Sequence, residues 1–363
     1  MRIPPKSAIF AEILESMAKQ KAVRVGLDWL KICCKQDPNC PLWDELKGGR
    51  NHFGSNGELF IFNISESSLR IDAIVGTLNE YGAYTMLADL TVYPSSADSG
   101  VSSDQYGKAF LRLHNEWLYN PEGIGYLMGA IDSLHLEFNN ITRMDIALTS
   151  IHVNFSRYIL AAIRDTSLKM IYRGREWQKD DTAPIDGIGV MQNMSRRSKI
   201  RNTDTLYCGM AKDSDVQLRV YNKNFELFVN DDDDKRSTIN RWLGLTDDNK
   251  CAIYRLEVEL KNDDLNDRLI ALLKCKDDYK ENVDYQFLKT GGILWQIMDD
   301  DFLLRLLDDS LHRILRFRKG NKQFSLFDIC KLADAKQLYS ESPALPPLII
   351  NIPPSLRKKG IVC

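Results

Sequence analysis

Tyr221 stands in a pattern that can turn a phenol into a nucleophile. The stretch around it, residues 205–226, reads TLYCGMAKDSDVQLRVYNKNFE. Two short β-type runs, Thr205 to Cys208 and Val216 to Tyr221, flank a turn-like segment with Gly209, Asp213, Ser214 and Asp215, which is a hairpin signal. In the second run Val216, Leu218 and Val220 alternate with Gln217, Arg219 and Tyr221. A period of two puts the apolar three on one face and the polar three on the other. Tyr221 therefore shares a face with Arg219, and Lys223 follows two positions on. Positive neighbours favour the ionised phenol, which is what a tyrosine nucleophile needs. Tyrosine is also a favoured strand residue, and taken alone an ordinary strand tyrosine is the simpler reading of this stretch.

Two further strands carry ionisable groups opposite an apolar face. In the run Thr142 to Leu148, Arg143, Asp145 and Ala147 share one side and Met144, Ile146 and Leu148 the other. An aspartate here is costly to bury unpaired; it is either salt-bridged to Arg143 or at a wet edge, or it is a metal-facing carboxylate. In Cys251 to Leu260, Tyr254, Leu256, Val258 and Leu260 make an apolar face and Arg255, Glu257 and Glu259 a charged one. Two carboxylates on one strand face repel unless cations share the space. Cross-strand pairing with Arg219 or Arg143 answers this, and so does a divalent ion held by hard oxygen ligands. If the three strands are neighbours in one antiparallel sheet, carboxylates, a phenol and cations converge. That set suits phosphoryl transfer by a protein nucleophile.

The rest of the chain has to supply the frame. Its 363 residues suffice for two domains, and 44% hydrophobic content can fill a sizeable core. With a formal net charge of −2, DNA binding has to rest on local basic patches. The eight cysteines form no Cys-x-x-Cys and no histidine lies at zinc-finger spacing, which argues against structural zinc. Neither a signal peptide nor an eighteen-residue apolar run is visible, so a cytoplasmic protein without a membrane span is expected.

Helices are expected at residues 8–20, Ala109 to Trp117, Gly123 to Ser133 and Phe155 to Tyr172, the last with Ser156 as N-cap. Strands are expected at Val23 to Ile32, Glu58 to Ile64 and Tyr84 to Val92, with a weaker one between the last two. Leu134 to Asn154 reads as two strands turning at Asn139-Asn140. Asp37 to Gly57 reads as loop, and the run of aspartates before Arg236 as an exposed acidic loop. From Asp263 the composition turns helical, with a break at Gly291-Gly292 and a basic run from Arg313 to Lys322. Phe324 to Leu338 is a further helix, and the Pro-rich end reads as extended.

These blocks carry a family resemblance. Leu218 to Glu226 resembles the Arg-x-Tyr-(Asp/Asn)-Lys-x-x-Glu block of the rolling-circle replication initiators of staphylococcal-type plasmids, a family that includes relaxases of some integrative conjugative elements and replication proteins of some filamentous phages. Gly26 to Leu30 is similar to its Asp-Trp-Leu strand, Thr142 to Ala147 to its Arg-x-Asp-x-Ala strand, and Tyr254 to Leu260 to its Arg-x-Glu strand. The blocks fall in the same order, over residues 22 to 262.

The resemblance implies an α+β fold with a mainly antiparallel central sheet and flanking helices, and a smaller, mostly helical C-terminal region. With the shift of composition near residue 262, its reach divides the chain into an arm (1–21), a nicking domain (22–262), a DNA-binding or accessory domain (263–340), assigned by analogy, and a tail (341–363). Tyr221 is the implied nucleophile, with Lys223 and Arg219 as phosphate or positioning contacts. Asp145, Glu257 and, less directly, Glu259 are the implied ligands of Mg²⁺ or Mn²⁺. The chain lacks the His-x-His pair of better-known relatives, and His135 or Glu137 is open as a further ligand. Arg143, Arg173, Arg175, Arg196, Arg197, Lys199, Arg201, Arg255, Arg316 and Arg318 are the expected DNA contacts. Expected partners are single- and double-stranded origin DNA, a second copy in a homodimer, and a host helicase. A relaxase would use the same chemistry, and a non-catalytic origin-binding protein is the alternative of another class.

Overall fold

The computed structural model describes residues 23–49, 59–78, 84–94, 102, 104–151, 153–177, 188–193, 203–208, 215–229, 233–261, 263–273 and 291–334. The expected helix at 8–20, the tail, the turn at Gly209 to Ser214 and the basic residues Arg196, Arg197, Lys199 and Arg201 lie outside them.

The fold is α+β, built on antiparallel strands. The chain forms two compact units, each drawn from separated segments. Among the described residues, unit 1 is drawn from 23–25, 146–259 and 304–334, and unit 2 from 26–145 and 260–303.

Unit 2 holds most of β1 (Val23–Gln36), then β2 (Leu59–Glu66), β3 (Ile71–Leu78), β4 (Tyr84–Val92), β5 (Lys108–Leu113) and the start of β6 (Leu136–Ser150). Their order is β2-β3-β4-β5-β1-β6. Antiparallel registers such as Lys31 opposite Arg112 and Asp89 opposite Arg112 line up residues of like face across the strands. Leu30, Ile32, Leu90, Leu111 and Ile71 point into the core, and the residues between them are half-exposed. A two-residue alternation with one buried face is what an antiparallel sheet with a wet side requires. Helices α1 (Leu42–Leu46), α2 (Asn115–Leu118), α3 (Gly123–Ser133), α7 (Asp263–Leu273) and α8 (Gly292–Gln296) also belong to this unit, and α3 buries Ile124, Leu127 and Ile131.

Unit 1 contains α4 (Phe155–Arg164), β9 (Ile188–Asn193), β10 (Thr203–Cys208), β11 (Val216–Asn222), α5 (Lys223–Val229), α6 (Asp233–Trp242) and most of β12 (Tyr254–Lys261). The order here is β12-β11-β10-β9, with Leu206 opposite Val220 and Tyr207 opposite Arg219. A second sheet, ordered β14-β13-β7-β8, is made of β7 (Lys169–Tyr172), β8 (Arg175–Trp177), β13 (Leu315–Lys319) and β14 (Lys322–Phe324). Strands β7 and β8 turn at Arg173-Gly174, where both residues have positive φ, 47° and 80°. That pair of left-handed residues is the geometry of a tight type I′ hairpin. Helix α9 (Asp300–Ile314) leads into β13, and α10 (Leu326–Asp334) packs on α4 and β13.

Several expectations are corrected. Lys108–Leu113 is a strand, not part of a helix: Ala109, Leu111 and Leu113 are buried while Phe110 and Arg112 are half-exposed, a period of two. β6 runs through Asn139-Asn140 without turning, because neither asparagine takes positive φ. The Ile141 N–H donates to Asn266 Oδ1 (3.3 Å) and its carbonyl accepts from Asn266 Nδ2 (3.0 Å), so the strand's backbone is satisfied there by a side chain from α7. The helix after Asn154 ends at Arg164 and is capped by Asn154, whose Oδ1 accepts from the Arg157 N–H at 3.1 Å, not by Ser156. The end of the aspartate run opens α6, where acidic residues suit the positive end of the helix dipole. A short helix, α1, sits within the segment read as loop.

Phe317 is fully buried in β13. Phe317→Ala is expected to cost about 3–5 kcal/mol, read as a lower urea midpoint at unchanged slope. Cys34 and Cys208 are buried, and burial pushes the Cys208 thiol up to about 12, whereas Cys251 is exposed. Because the thiolate is the reactive form, peptide mapping after iodoacetamide at pH 8 should find Cys251 labelled, and Cys34 and Cys208 labelled only in denaturant.

Candidate active site

Strand β11 ends at Asn222 and α5 begins at Lys223, so the chain changes from a period of two to a helical turn between the phenol and the amine. The Lys223 N–H donates to the Ile253 carbonyl (2.8 Å). Asn224 clamps the same junction: its Nδ2 donates to the Cys251 carbonyl (2.9 Å) and its Oδ1 accepts from the Ile253 N–H (3.1 Å). The start of α5 is thereby tied to the approach to β12, the strand beside β11.

On the shared face, the Tyr221 hydroxyl donates to Glu257 Oε2 at 2.8 Å and accepts from Lys223 Nζ at 3.3 Å. The same ammonium lies 5.5 Å from the Tyr221 ring centroid. Arg219 forms an ion pair with the other oxygen, Glu257 Oε1. Glu257 and Lys223 are each only 1% exposed, whereas Tyr221 is half-buried. A buried charge has to be paired and hydrogen-bonded, and here each is. Lys223 Nζ also donates to both Glu226 oxygens, at 2.9 and 2.7 Å, and Lys235 Nζ reaches Glu226 Oε1 at 3.2 Å. The phenol therefore sits between a carboxylate that can accept its proton and an ammonium that can stabilise the oxygen left behind.

Glu226 and Lys235 carry no role in the sequence reading. Glu226 was findable, because a spacing of three on a helix brings it beside Lys223. Lys235 was hidden by the expectation of a loop.

Glu259 is buried two positions along from Glu257, on the same side of β12. The two supply hard oxygen donors, and magnesium usually takes one or two carboxylates, keeping waters and substrate phosphates in the rest of its shell. That donor set fits such an ion, although no group of three or more His, Cys, Asp and Glu stands ready to hold a metal among the described residues. Asp145 belongs to unit 2, where its carboxylate accepts from Arg143 Nε (2.9 Å) and Nη2 (2.7 Å) in a two-pronged pair. The salt-bridge reading of Asp145 thus holds in the structure, and its reading as a ligand rests on the resemblance. His135 does not sit on a strand: it has φ 52° in the turn between α3 and β6, and both it and Glu137 are exposed.

The expected DNA contacts are scattered. Arg173 and Arg175 sit at and after the β7–β8 turn, and Arg316 and Arg318 lie on the neighbouring β13. Arg318 is paired with Glu176, which Lys169 also meets at 2.6 Å; these cations hold the Glu176 carboxyl below its ordinary range. Arg255 is a correction: it is 0% exposed, because β12 is covered on both faces, and its guanidinium is out of reach of a nucleic acid.

Compared with known proteins, the chain matches no family model and no curated protein sequence. Among the described residues no helix is long and apolar enough to cross a membrane.

Lys223→Met removes a buried ammonium from two carboxylate bonds. It is expected to cost about 1.5–3 kcal/mol, while Lys223→Arg loses less. Urea denaturation of both variants checks this.

Proposed function

We propose that the protein is a DNA nicking and rejoining enzyme of the rolling-circle initiator type, with Tyr221 as its nucleophile. The observation that carries this reading is the hydroxyl of Tyr221 bonded at once to Glu257 (2.8 Å) and Lys223 (3.3 Å). Glu257 takes the phenolic proton as the oxygen attacks the scissile phosphorus. The Tyr221 O–P bond forms, the P–O3′ bond breaks, and the departing sugar oxygen takes up a proton from solvent to leave a free 3′-OH. The product is a 5′-phosphotyrosine link, which conserves the phosphodiester for later rejoining. Lys223 faces the charge that develops on the phenolic oxygen, and Glu226, itself paired with Lys235, holds its ammonium in place. Arg219 fixes the Glu257 carboxylate in the orientation that receives the proton.

A divalent ion, when bound, would draw charge from the non-bridging phosphate oxygens. Glu257 and Glu259 would supply carboxylate oxygens to it, and Asp145 is a further ligand that the resemblance alone implies. Single- and double-stranded origin DNA is the substrate in this reading, with a homodimer, a host helicase and a cytoplasmic setting as its expected context. A relaxase of a mobile element would use the same residues in the same way.

The test is a denaturing gel of the protein incubated with 3′-labelled single-stranded DNA from its replicon and Mg²⁺ or Mn²⁺. A covalent adduct is expected, lost in Tyr221→Phe and on adding EDTA, and reduced about 10²- to 10⁴-fold in rate in Glu257→Gln. An adduct that survives Tyr221→Phe would move the nucleophile elsewhere. Binding of origin DNA with no adduct under any metal would favour the non-catalytic origin-binding protein.

A further inference from the structure

The wet face of the unit 2 sheet carries a group of cations that the nicking chemistry does not use. Trp29 on β1 is sandwiched between two guanidinium groups, Arg112 from β5 at 4.6 Å and Arg143 from β6 at 4.5 Å from its ring centroid. Lys31, two residues along the same strand, stands opposite Arg112 in the β1–β5 register and lies 5.1 Å from the centroid of Phe110. Arg112 and His114 share Asp89, and Arg143 holds the buried Asp145. Lys31 has no carboxylate partner among the described residues. Burial, followed by the charges of Arg112, Arg143 and Arg70, pushes its ammonium below the ordinary lysine range. Three cations are thus held together, two of them paired with Asp89 and Asp145 and the third, Lys31, with no carboxylate among the described residues, and the local field favours an incoming anion.

The same face is aromatic. Phe110 packs edge-on against Tyr93 (5.8 Å), and farther along the sheet Phe60 stacks on Phe62 and meets Tyr84, which is 68% exposed. Half-exposed rings beside cations on an open antiparallel sheet form the platform that single-stranded nucleic acids use, with bases stacked on rings and guanidinium planes and phosphates on the cations.

We propose that this face of unit 2, centred on Lys31, Arg112 and Phe110, is a sequence-tolerant binding track for single-stranded DNA. The inference takes its choice of DNA from the nicking reading but requires no cleavage.

The test is fluorescence anisotropy with a labelled 20-nucleotide oligothymidylate, in EDTA, on the full-length Tyr221→Phe protein, so that neither an origin nor catalysis enters. The parent is expected to bind with a salt-dependent affinity. Lys31→Gln is expected to weaken binding about three- to tenfold and to reduce the slope of log K against log salt by about 0.7, the value for one phosphate contact on a single strand. Lys31→Arg should restore both. Phe110→Ala should weaken binding about tenfold with little change of slope, circular dichroism confirming that each variant is folded. Parent-like binding by both Lys31→Gln and Phe110→Ala would overturn the inference. So would absence of oligothymidylate binding in a parent that sediments as a dimer dispersed by Phe110→Ala, which would give this face to a second copy of the chain. Absence of any adduct from the wild-type protein under every metal, with Lys31-dependent binding intact, would end the nicking reading and leave this one standing.

Discussion

A carboxylate shut away from water has to be answered by positive charge and by hydrogen bonds, and at Glu257 both come from the neighbouring strand. Arg219 and Tyr221 project from β11 on one side, two residues apart, and each takes one oxygen of the acid. Such an arrangement tolerates no slip in register, since a shift of one residue would send both side chains to the opposite face. The apolar residues alternating with them, Leu218 and Val220, are fully buried and pin that register from the other side. The hydrophobic core of unit 1 thereby decides which atoms meet at the polar end.

The second buried charge, Lys223, is supported differently. Its ammonium is held by Glu226 from within its own helix and faces the phenol across the strand–helix junction. Buried ion pairs are weak sources of stability, because desolvation offsets most of the attraction. Their retention here is better understood as positioning: one cation on either side of the Tyr221–Glu257 pair fixes the geometry of a half-buried hydroxyl.

Much of this was legible in the chain because period and composition agreed. Tyr84–Val92 and Gly123–Ser133 take the bounds that their patterns suggest, and the pairing of Glu257 with Arg219 was one of the two answers foreseen for the charged face of β12. The misreadings share a physical cause, which is that local signals are silent about distant partners. The two-residue alternation of Lys108–Leu113 becomes decisive only with β1 and β4 on either side. Asn139-Asn140 has the chemistry of a turn, yet Asn266, more than a hundred residues later, satisfies the backbone at Ile141 and lets the strand run straight. Arg255 looked like a surface cation because a charged strand face normally is one; no single strand can tell whether it will be covered on both sides.

The asparagine clamp behind the site has a consequence for how the chain can change. Asn224 and the Lys223 amide hold the segment at Cys251 and Ile253 as a fixed rung, so the connection from α6 to β12 behaves as a ruler whose length sets where Lys235 of α6 stands beside Glu226. Adding or deleting a residue between Gly244 and Cys251 would leave every polar group of the cluster in place chemically, while moving one of them along its neighbour. That connection looks like an indifferent spacer, and it is where drift in length would be least forgiven.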